Sequence, residues 1–455
     1  MKNFLRIGFI SLIAFQCQNP IQSDIKELPS EVVEVIQKRI SNGVTPSVAI
    51  ALIDSSGTYY FNFGKTEKGG KYVDENTIYE IGSISKVFTG VLLAQQILDG
   101  DLSMDDEINE LLPDSIRVPF IGETEITIGS LTDHTSGLPR MPNNFTPANP
   151  NNPYADYSIN QMYQFISSYQ PTREVGSEYE YSNLAQGLLG HLLAKHKNMS
   201  YEKLMIQVIA DPLEMYDTRI EFTEGMKENL ALGHSGGKVV ENWDIPTLAG
   251  AGAIRSSTID MARFISANLG YINIPVTDAM KLSHKVRHDK AGTMSVAMAW
   301  HIKKGANGDV IWHNGGTGGY RAFTGFVKDT GKGVVLLTNS SYSSDDIGFH
   351  LLDPESELAN HKFKEDAVDL EENIISKYVG VYELQSDFTI TISKVGKQLY
   401  GQGTGQDKFK IYAENDTLFF INGDAAKLSF RIKDNTVKSL VLLQGGQKTN
   451  AMKIE

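Results

Sequence analysis

The stretch Ser83-Ile84-Ser85-Lys86 places a hydroxyl and an amine three residues apart, at the start of an apolar run that ends at Gly100. Apolar residues recur at helical intervals, which predicts a helix buried on more than one side: Val87, Phe88, Val91, Leu92 and Leu98. On that helix Ser83 and Lys86 share one face. A lysine whose pKa is lowered by burial or by neighbours can take the proton of a serine. Ser-x-x-Lys is a common pattern, and taken alone it more often reflects a capping serine followed by an ordinary lysine than a catalytic pair.

Two further motifs follow downstream in an order that lets three segments converge on one cleft, Tyr181-Ser182-Asn183 and His313-Asn314-Gly315. The set resembles the serine β-lactamase and penicillin-binding family, in its branch of class C β-lactamases, D-alanyl-D-alanine carboxypeptidases and related esterases. That family carries Ser-x-x-Lys, then Tyr-x-Asn, then Lys or His followed by x-Gly. Flanking segments agree with it, including the stretch from Leu131 to Leu138. The resemblance extends from about residue 30 to about residue 345.

The resemblance implies a role for each catalytic residue. Ser83 attacks a carbonyl carbon to form an acyl-enzyme, and Lys86 helps to remove the serine proton. Tyr181 exchanges protons with Ser83 and with the leaving group, provided that a neighbouring cation lowers its pKa from about 10. Asn183 holds the acyl-side amide of the substrate and contacts Lys86.

The third motif implies the rest of the site. His313 is expected at the sheet edge beside Tyr181, where it binds a carboxylate or steers a proton. The oxyanion is expected to bind the backbone N–H groups of Ser83 and Gly316, and Gly315 is expected to let a substrate strand approach the backbone closely. This chemistry requires no metal ion and no organic cofactor.

Composition bounds the architecture and the partners. The chain of 455 residues exceeds what one hydrophobic core usually fills, and its formal net charge of −13 argues against nucleic acid or an anionic membrane surface as partner. We expect a serine hydrolase domain over residues 24–360 and an all-β domain over residues 370–455. Charged residues between Asp353 and Glu372 are expected to form the linker.

Strand-like runs occur at both ends of the hydrolase region, with helical patterns between them: 47–53, 58–63, 323–327 and 333–337. This arrangement predicts an α+β fold with an antiparallel sheet and flanking helices. The resemblance implies a sheet of about five strands and a helical subdomain inserted between the first and third motifs. Beyond residue 370, short alternating runs and the turn Asn422-Gly423 predict a small sandwich or barrel with a packing or substrate-access role.

The N-terminus predicts export. Lys2 and Arg6 precede or open the apolar stretch from Ile7 to Phe15, which is too short to span a bilayer and suits a secretory signal over residues 1–20. Cys17, the only cysteine, follows immediately and is a candidate lipid attachment site. The residues before it fit the usual small-residue cleavage pattern poorly, so simple secretion stays the alternative to a lipid anchor on a bacterial membrane.

His313 departs from the class C pattern, which usually has lysine there. A permanent cation holds the carboxylate of a β-lactam, whereas a histidine is only partly charged near neutral pH. Some D-alanyl-D-alanine peptidases of the resembled branch carry Tyr-Ser-Asn together with His-x-Gly. The resemblance therefore implies an exported acyl-serine hydrolase of D-Ala-D-Ala-type peptides from peptidoglycan or of β-lactams, and it favours a peptidase or D-amino-acid-specific hydrolase over an efficient β-lactamase. Two alternatives remain: a promiscuous serine carboxylesterase on the same fold, and a non-catalytic penicillin-binding sensor.

Overall fold

The computed structural model describes residues 27–290, 294–385, 388–404, 408–424, 426–444 and 447–455. The predicted signal segment and Cys17 lie outside these ranges. Within them, no helix has both the length and the apolar character needed to cross a membrane.

The hydrolase domain is built around one antiparallel sheet. Its strands are β1 (Ser47–Asp54), β2 (Gly57–Gly64), β7 (His288–Lys290), β8 (Met294–Val296), β9 (His301–Gly305), β10 (Gly308–Gly316), β11 (Arg321–Val327) and β12 (Lys332–Thr338). Their order is β2-β1-β12-β11-β10-β9-β8-β7. Two short pairs lie apart from it, β3 (Tyr79–Glu80) with β6 (Arg255–Ser256), and β4 (His234–Ser235) with β5 (Lys238–Val239). The sheet therefore has eight strands where about five were expected. Strands β7, β8 and β9 lie in sequence between the last helix of the subdomain and β10, and they extend the sheet by antiparallel pairing on the side of β10 opposite β11.

The helices of this domain lie mainly in sequence between β2 and β7. They are α1 (Ser30–Ser41), α2 (Ser85–Leu98), α3 (Ile108–Leu111), α4 (Ile128–Thr132), α5 (Ile159–Ser168), α6 (Asn183–His196), α7 (Tyr201–Met205), α8 (Glu224–Glu228), α9 (Ala249–Gly252), α10 (Thr258–Leu269), α11 (Thr277–Ser283) and α12 (Asp345–Leu352). A 3₁₀ turn over Gly82–Ile84 leads into α2, and a π-helical turn over Ile206–Ala210 follows α7. The predicted α+β class with an inserted helical subdomain is confirmed.

Strand β1 is buried at every residue because helices cover both faces of the sheet. Ala49, Ala51 and Ile53 pack into the large core that contains α2 and α10. The alternate residues Val48 and Ile50 pack on the other face against α1 and α12. Two layers of helices therefore hold the sheet, and the large core on one face positions α2 and the 3₁₀ turn before it, which carries Ser83.

The C-terminal region forms a closed antiparallel barrel of eight strands. They are β13 (Gly380–Gln385), β14 (Phe388–Val395), β15 (Gln398–Gly403), β16 (Phe409–Ala413), β17 (Leu418–Ile421), β18 (Lys427–Lys433), β19 (Thr436–Gln444) and β20 (Gln447–Lys453). The short helix α13 (Glu372–Ile375) and a 3₁₀ turn over Ser376–Tyr378 precede it, and its core is separate from that of the hydrolase domain. Of the two predicted architectures, the barrel is the one observed.

The predicted turn Asn422-Gly423 connects the barrel to the hydrolase domain. Asn422 donates a side-chain hydrogen bond to the carbonyl of Asn42, and the Gly423 amide donates to the carbonyl of Lys362. A Cβ atom on Gly423 would lie 2.4 Å from a methyl group of Val44. The barrel therefore packs closely on the turn between α1 and β1.

Candidate active site

Ser83 and Lys86 lie in contact where the 3₁₀ turn enters α2. Lys86 Nζ lies 3.0 Å from Ser83 Oγ and donates a 2.6 Å hydrogen bond to the carbonyl of Ala251. The neighbouring Ser85 is buried and ties the turn to the domain, because its hydroxyl donates to the Gly82 carbonyl and accepts from the Ile254 amide. The first motif therefore has the geometry of a nucleophile and its base.

The environment of Lys86 favours the neutral amine. The side chain is fully buried, and this burial lowers its pKa well below 10.5, with a further contribution from the positive charge of Arg140. A neutral amine has a lone pair that can accept a proton, which an ammonium lacks. Lys86 is thus suited to take the proton of Ser83.

Tyr181 completes the group around the nucleophile. Its hydroxyl interacts with the side chain of Ser83, and both Lys86 Nζ and the Arg140 guanidinium lie over its ring, 4.9 Å and 5.1 Å from the centroid. Burial raises the pKa of Tyr181 to about 12, although the Ser83 hydrogen bond and Arg140 act in the opposite direction. The expectation that a neighbouring cation lowers this pKa from about 10 is wrong, because burial outweighs the effect of Arg140. A phenol of this kind keeps its proton at neutral pH and is suited to donate it.

The segment that follows α4 holds the second motif in place. The Ser182 hydroxyl donates to the carbonyl of Pro139 and also caps helix α6 by accepting the amide of Ala185. The Asn183 amide donates to the carbonyl of Arg140 at 3.0 Å. These bonds fix where α6 begins and therefore where Tyr181 and Asn183 emerge.

Asn183 lines the cleft with a free acceptor. Its side-chain amide nitrogen donates weakly to the sulfur of Met141, 3.8 Å away, and its buried Oδ1 has no hydrogen-bond partner within the described residues. No hydrogen bond joins Asn183 to Lys86 among the described residues, and the amine instead bonds to Ser83 and Ala251. The free Oδ1 is available to accept a hydrogen bond from a substrate amide.

His313 is buried and electrically neutral. Its Nδ1–H donates to the carbonyl of Asn314 at 2.5 Å, so Nε2 carries the lone pair, and no partner for Nε2 occurs in the described part of the chain. Burial, together with His301 and Lys86, lowers the pKa of His313 well below 6.5. A neutral ring cannot hold a carboxylate by charge, so of the two roles expected for His313 the structure favours proton steering.

The position of His313 also differs from the expected sheet edge. Strand β10 lies inside the sheet, between β9 and β11. Its pairing with β9 stops at Trp312, so residues 313–316 pair with β11 alone and turn their other side to the Ser83 turn. The ring of His313 stacks on His301 at 4.7 Å and lies 6.4 Å from that of Tyr181.

Gly315 and Gly316 allow the third motif to touch the first. A Cβ atom on Gly315 would lie 1.8 Å from the carbonyl oxygen of Ile81 and 3.1 Å from the amide nitrogen of Ser83. The glycine therefore makes room for the protein's own backbone, whereas the expected partner was a substrate strand. Gly82, with φ of +50°, leaves similar room for the Gly316 amide. The amides of Ser83 and Gly316, the expected oxyanion donors, thus belong to two backbone segments in direct contact.

The three motifs converge on one cleft, which is lined by Ser83, Asn183 and Gly316. Its remaining walls are aromatic, aliphatic or glycine residues: Tyr154, Trp243, Ile245, Leu248, Ala251 and Gly252. Three imidazoles, those of His134, His301 and His313, lie around Tyr181. Across the described ranges, no cluster of three histidine, cysteine, aspartate or glutamate side chains is arranged to hold a metal ion.

The sequence analysis missed two residues of this site. Arg140 and His134 contact Tyr181, although they lie in or beside a segment used only as evidence of family resemblance. The sequence also left open whether residues 141–160, which are rich in Asn and Pro, cover the cleft; this loop carries Tyr154 into the cleft and is anchored by Asn149 and Asn152. Asn149 donates a hydrogen bond to Glu241, and Asn152 exchanges two with Asp244.

Comparison with known proteins identifies relatives for both parts of the chain. The family profile named Beta-lactamase matches residues 32–352, and a domain of unknown function, DUF3471, matches residues 364–453. A beta-lactamase of Pseudomonas fluorescens is 27% identical over 355 residues, covering 70% of this chain and 95% of that protein. Penicillin-binding protein 4* of Bacillus subtilis (strain 168) is 25% identical over 439 residues, covering 87% and 92%.

Solved structures share the fold of the hydrolase domain. A class C beta-lactamase superposes with a TM-score of 0.63 at 22% identity, covering 73% of this chain and 96% of that chain. Another, in complex with cefoxitin, has a TM-score of 0.62 at 22% identity, covering 70% and 97%.

Proposed function

The chain belongs to the beta-lactamase family of serine hydrolases, and from that premise we propose that it forms an acyl-enzyme on Ser83 with D-Ala-D-Ala-type peptides or β-lactams. The observation that carries the proposal is the 3.0 Å contact between Ser83 Oγ and the buried amine of Lys86. A nucleophile beside a base of lowered pKa is the arrangement that acyl transfer requires.

The protonation states of Lys86 and Tyr181 give the order of proton transfers during acylation. Lys86 takes the proton of Ser83, and Oγ attacks the substrate carbonyl, whose oxygen becomes negatively charged. The amides of Ser83 and Gly316 stabilise that oxyanion, and one such donor contributes about 3 to 4 kcal/mol to lowering the barrier. Tyr181 protonates the departing amine as the carbon–nitrogen bond breaks, and the ammonium of Lys86 returns a proton to Tyr181. Attack of water on the ester then releases the acid and restores Ser83.

The positive charge of Arg140 favours a substrate that carries a carboxylate. Lys86 and His313 are both held largely neutral by burial, whereas a guanidinium stays charged at any usable pH. Arg140 is exposed, lies beside Tyr181, and forms no ion pair within the described residues. D-Ala-D-Ala peptides and penicillins both carry a carboxylate near the scissile bond, and Arg140 can take over the charge that lysine supplies in the class C pattern.

A carboxylesterase is the second candidate, and a specific observation favours it. The cleft walls formed by Tyr154, Trp243, Ile245 and Leu248 are largely apolar, and His313 supplies no charge. Such walls also accept the acyl chain of a neutral ester.

Steady-state hydrolysis of three substrates tests the proposal: an acyl-D-Ala-D-Ala peptide, a chromogenic cephalosporin and p-nitrophenyl butyrate. We expect turnover of the peptide or the cephalosporin, lost in Ser83→Ala. In Arg140→Gln we expect about a tenfold loss of kcat/KM, or more, for the carboxylate substrates and little change for the neutral ester. Turnover of the ester alone would establish the esterase, and stable labelling without turnover would establish a sensor.

We also propose that the protein is exported from a bacterial cell with residues 1–20 as signal. The test is the N-terminus of the mature protein recovered from cell fractions. A fatty-acylated N-terminal Cys17 in the membrane fraction would establish a lipoprotein, an unmodified N-terminus beyond residue 20 outside the cytoplasm would establish simple secretion, and an intact Met1 would refute export.

A further inference from the structure

The backbone on either side of Tyr181 is held by a single residue. The amide of Glu180 donates to the carbonyl oxygen of His134 at 2.8 Å, and the amide of Ser182 donates to the Nδ1 of the same histidine at 3.1 Å. Both peptide N–H groups that flank Tyr181 therefore donate their hydrogen bonds to His134.

His134 can accept both bonds because of its backbone conformation. Its φ is +64°, in the left-handed region that few residues other than glycine adopt and in which asparagine and histidine are enriched. The residue follows α4, and the next amide, that of Thr135, bonds back to the carbonyl of Ser130. A left-handed residue costs roughly 1 to 3 kcal/mol and persists only where surrounding contacts determine it, and such residues cluster at functional sites.

The side chain of His134 is also fixed in orientation and protonation. Its ring is buried and lies 4.6 Å from the ring of Tyr181, tilted by 32°. Because Nδ1 accepts the Ser182 amide, it carries no proton, and the proton of the neutral ring is on Nε2. Burial, with further contributions from the neighbouring Lys86, His301 and Arg140, lowers the pKa of His134 well below 6.5, which preserves the acceptor.

We propose that His134 is a positioning residue, which holds the hydroxyl of Tyr181 at Ser83 by accepting the two peptide N–H groups that flank Tyr181. The inference rests on the proposed role of Tyr181 in acyl transfer. It does not require His134 to touch the substrate.

Two variants separate the acceptor from the ring. In His134→Asn, the side-chain oxygen can occupy the place of Nδ1, and asparagine tolerates the left-handed backbone. In His134→Phe, the ring remains and the acceptor is lost. We expect His134→Asn to stay within about fivefold of the wild-type kcat, and His134→Phe to lose about 100-fold in kcat with little change in KM, as for a misplacement of about 1 Å.

The readouts distinguish positioning from a merely structural role. The kcat of each variant is divided by the fraction of folded protein, obtained from thermal unfolding. Equal activity of the two variants, or losses that follow the folded fraction alone, would overturn the inference.

A measurement on the wild type covers the case in which His134→Phe does not fold. The ¹⁵N chemical shifts of the His134 ring distinguish an unprotonated Nδ1 from an Nδ1–H, and the inference requires the former. A protonated Nδ1 would overturn it even if Ser83 is acylated normally. Failure of Ser83 to react with any substrate would instead refute the proposed function and leave the hydrogen bonds of His134 intact.

Discussion

The Gly315→Ala substitution tests whether contact between the first and third motifs creates the site. The added Cβ would lie 1.8 Å from the carbonyl oxygen of Ile81. Carbon and oxygen atoms in close contact are separated by about 3.3 Å, so strand β10 and the Ser83 turn must move apart by roughly 1.5 Å. Both contacting atoms belong to backbone, and no flexible side chain can absorb the displacement.

We expect Gly315→Ala to lower kcat/KM strongly while it lowers the free energy of unfolding only moderately. A shift of about 1 Å in a catalytic geometry can cost 100-fold in rate, and loss of one oxyanion donor costs about 100- to 1,000-fold. We therefore expect kcat/KM to fall about 100- to 1,000-fold in Gly315→Ala. Overpacking typically destabilises by about 1 to 3 kcal/mol, so most of the protein should remain folded at 25 °C.

The assay is hydrolysis of whichever substrate the wild type turns over best, with urea unfolding of the same preparations. Gly225→Ala is the matched control, because a Cβ there would meet no atom within 4 Å and Gly225 lies in helix α8. The control should retain wild-type activity. Full activity of Gly315→Ala, or a loss explained by unfolding, would refute the reasoning.

Three further predictions concern ionisable groups. The rate of Ser83 acylation should rise with pH through the pKa of Lys86, well below pH 10.5, because only the neutral amine accepts a proton. In stopped-flow measurements, Lys86→Arg, which stays charged, should show no such rise with pH and should acylate about 100- to 10,000-fold more slowly. Tyr181→Phe should lower kcat by a similar factor of about 100 to 10,000 with little effect on thermal stability. The wild-type reaction rate should not fall through ionisation of Tyr181 below about pH 11, since the pKa of Tyr181 is raised to about 12. Burial raises the pKa of Asp260 from 3.8 to about 6, so the folded state binds that proton more tightly than the unfolded state does, and it loses stability as pH rises from about 4 to about 6. Denaturant titrations should show that Asp260→Asn raises the free energy of unfolding by up to about 3 kcal/mol at pH 7.5 and leaves it nearly unchanged at pH 4.

The strands of the hydrolase sheet could be predicted closely because local patterns specify them. The run predicted over 47–53 is strand β1 at Ser47–Asp54, and the run over 333–337 is β12 at Lys332–Thr338. Continuous apolar residues bounded by turn residues mark such strands wherever they occur. The short strands β7 and β8 have no comparable pattern, and they belong to the sheet only because β8 pairs with β9 and β7 pairs with β8.

The barrel shows a second limit of local patterns. Its strands and the Asn422-Gly423 turn are visible in the sequence, but closure depends on β13 pairing with β20, where Tyr382 lies opposite Lys453. That pairing joins the two ends of the domain and has no sequence signal that separates a barrel from a sandwich.

The convergence of the predicted site residues could be expected from the motifs, whereas their ionisation could not. Ser83, Lys86, Tyr181, Asn183 and the His313 motif meet in one cleft or around it, and their roles in catalysis stay predictions. The raised pKa of Tyr181 and the lowered pKa of His313 arise from burial by segments distant in sequence, which spacing cannot reveal.

Intact-protein mass spectrometry during incubation with a penicillin tests whether Ser83 is the nucleophile. We expect a mass increase of one penicilloyl group on the wild type, mapped by peptide digestion to Ser83, and no increase on Ser83→Ala. A persistent adduct would indicate a penicillin-binding peptidase, and a transient adduct with hydrolysed drug would indicate a β-lactamase. An adduct that survives in Ser83→Ala, or drug hydrolysis that continues at the wild-type rate in that variant, would contradict Ser83 as the nucleophile.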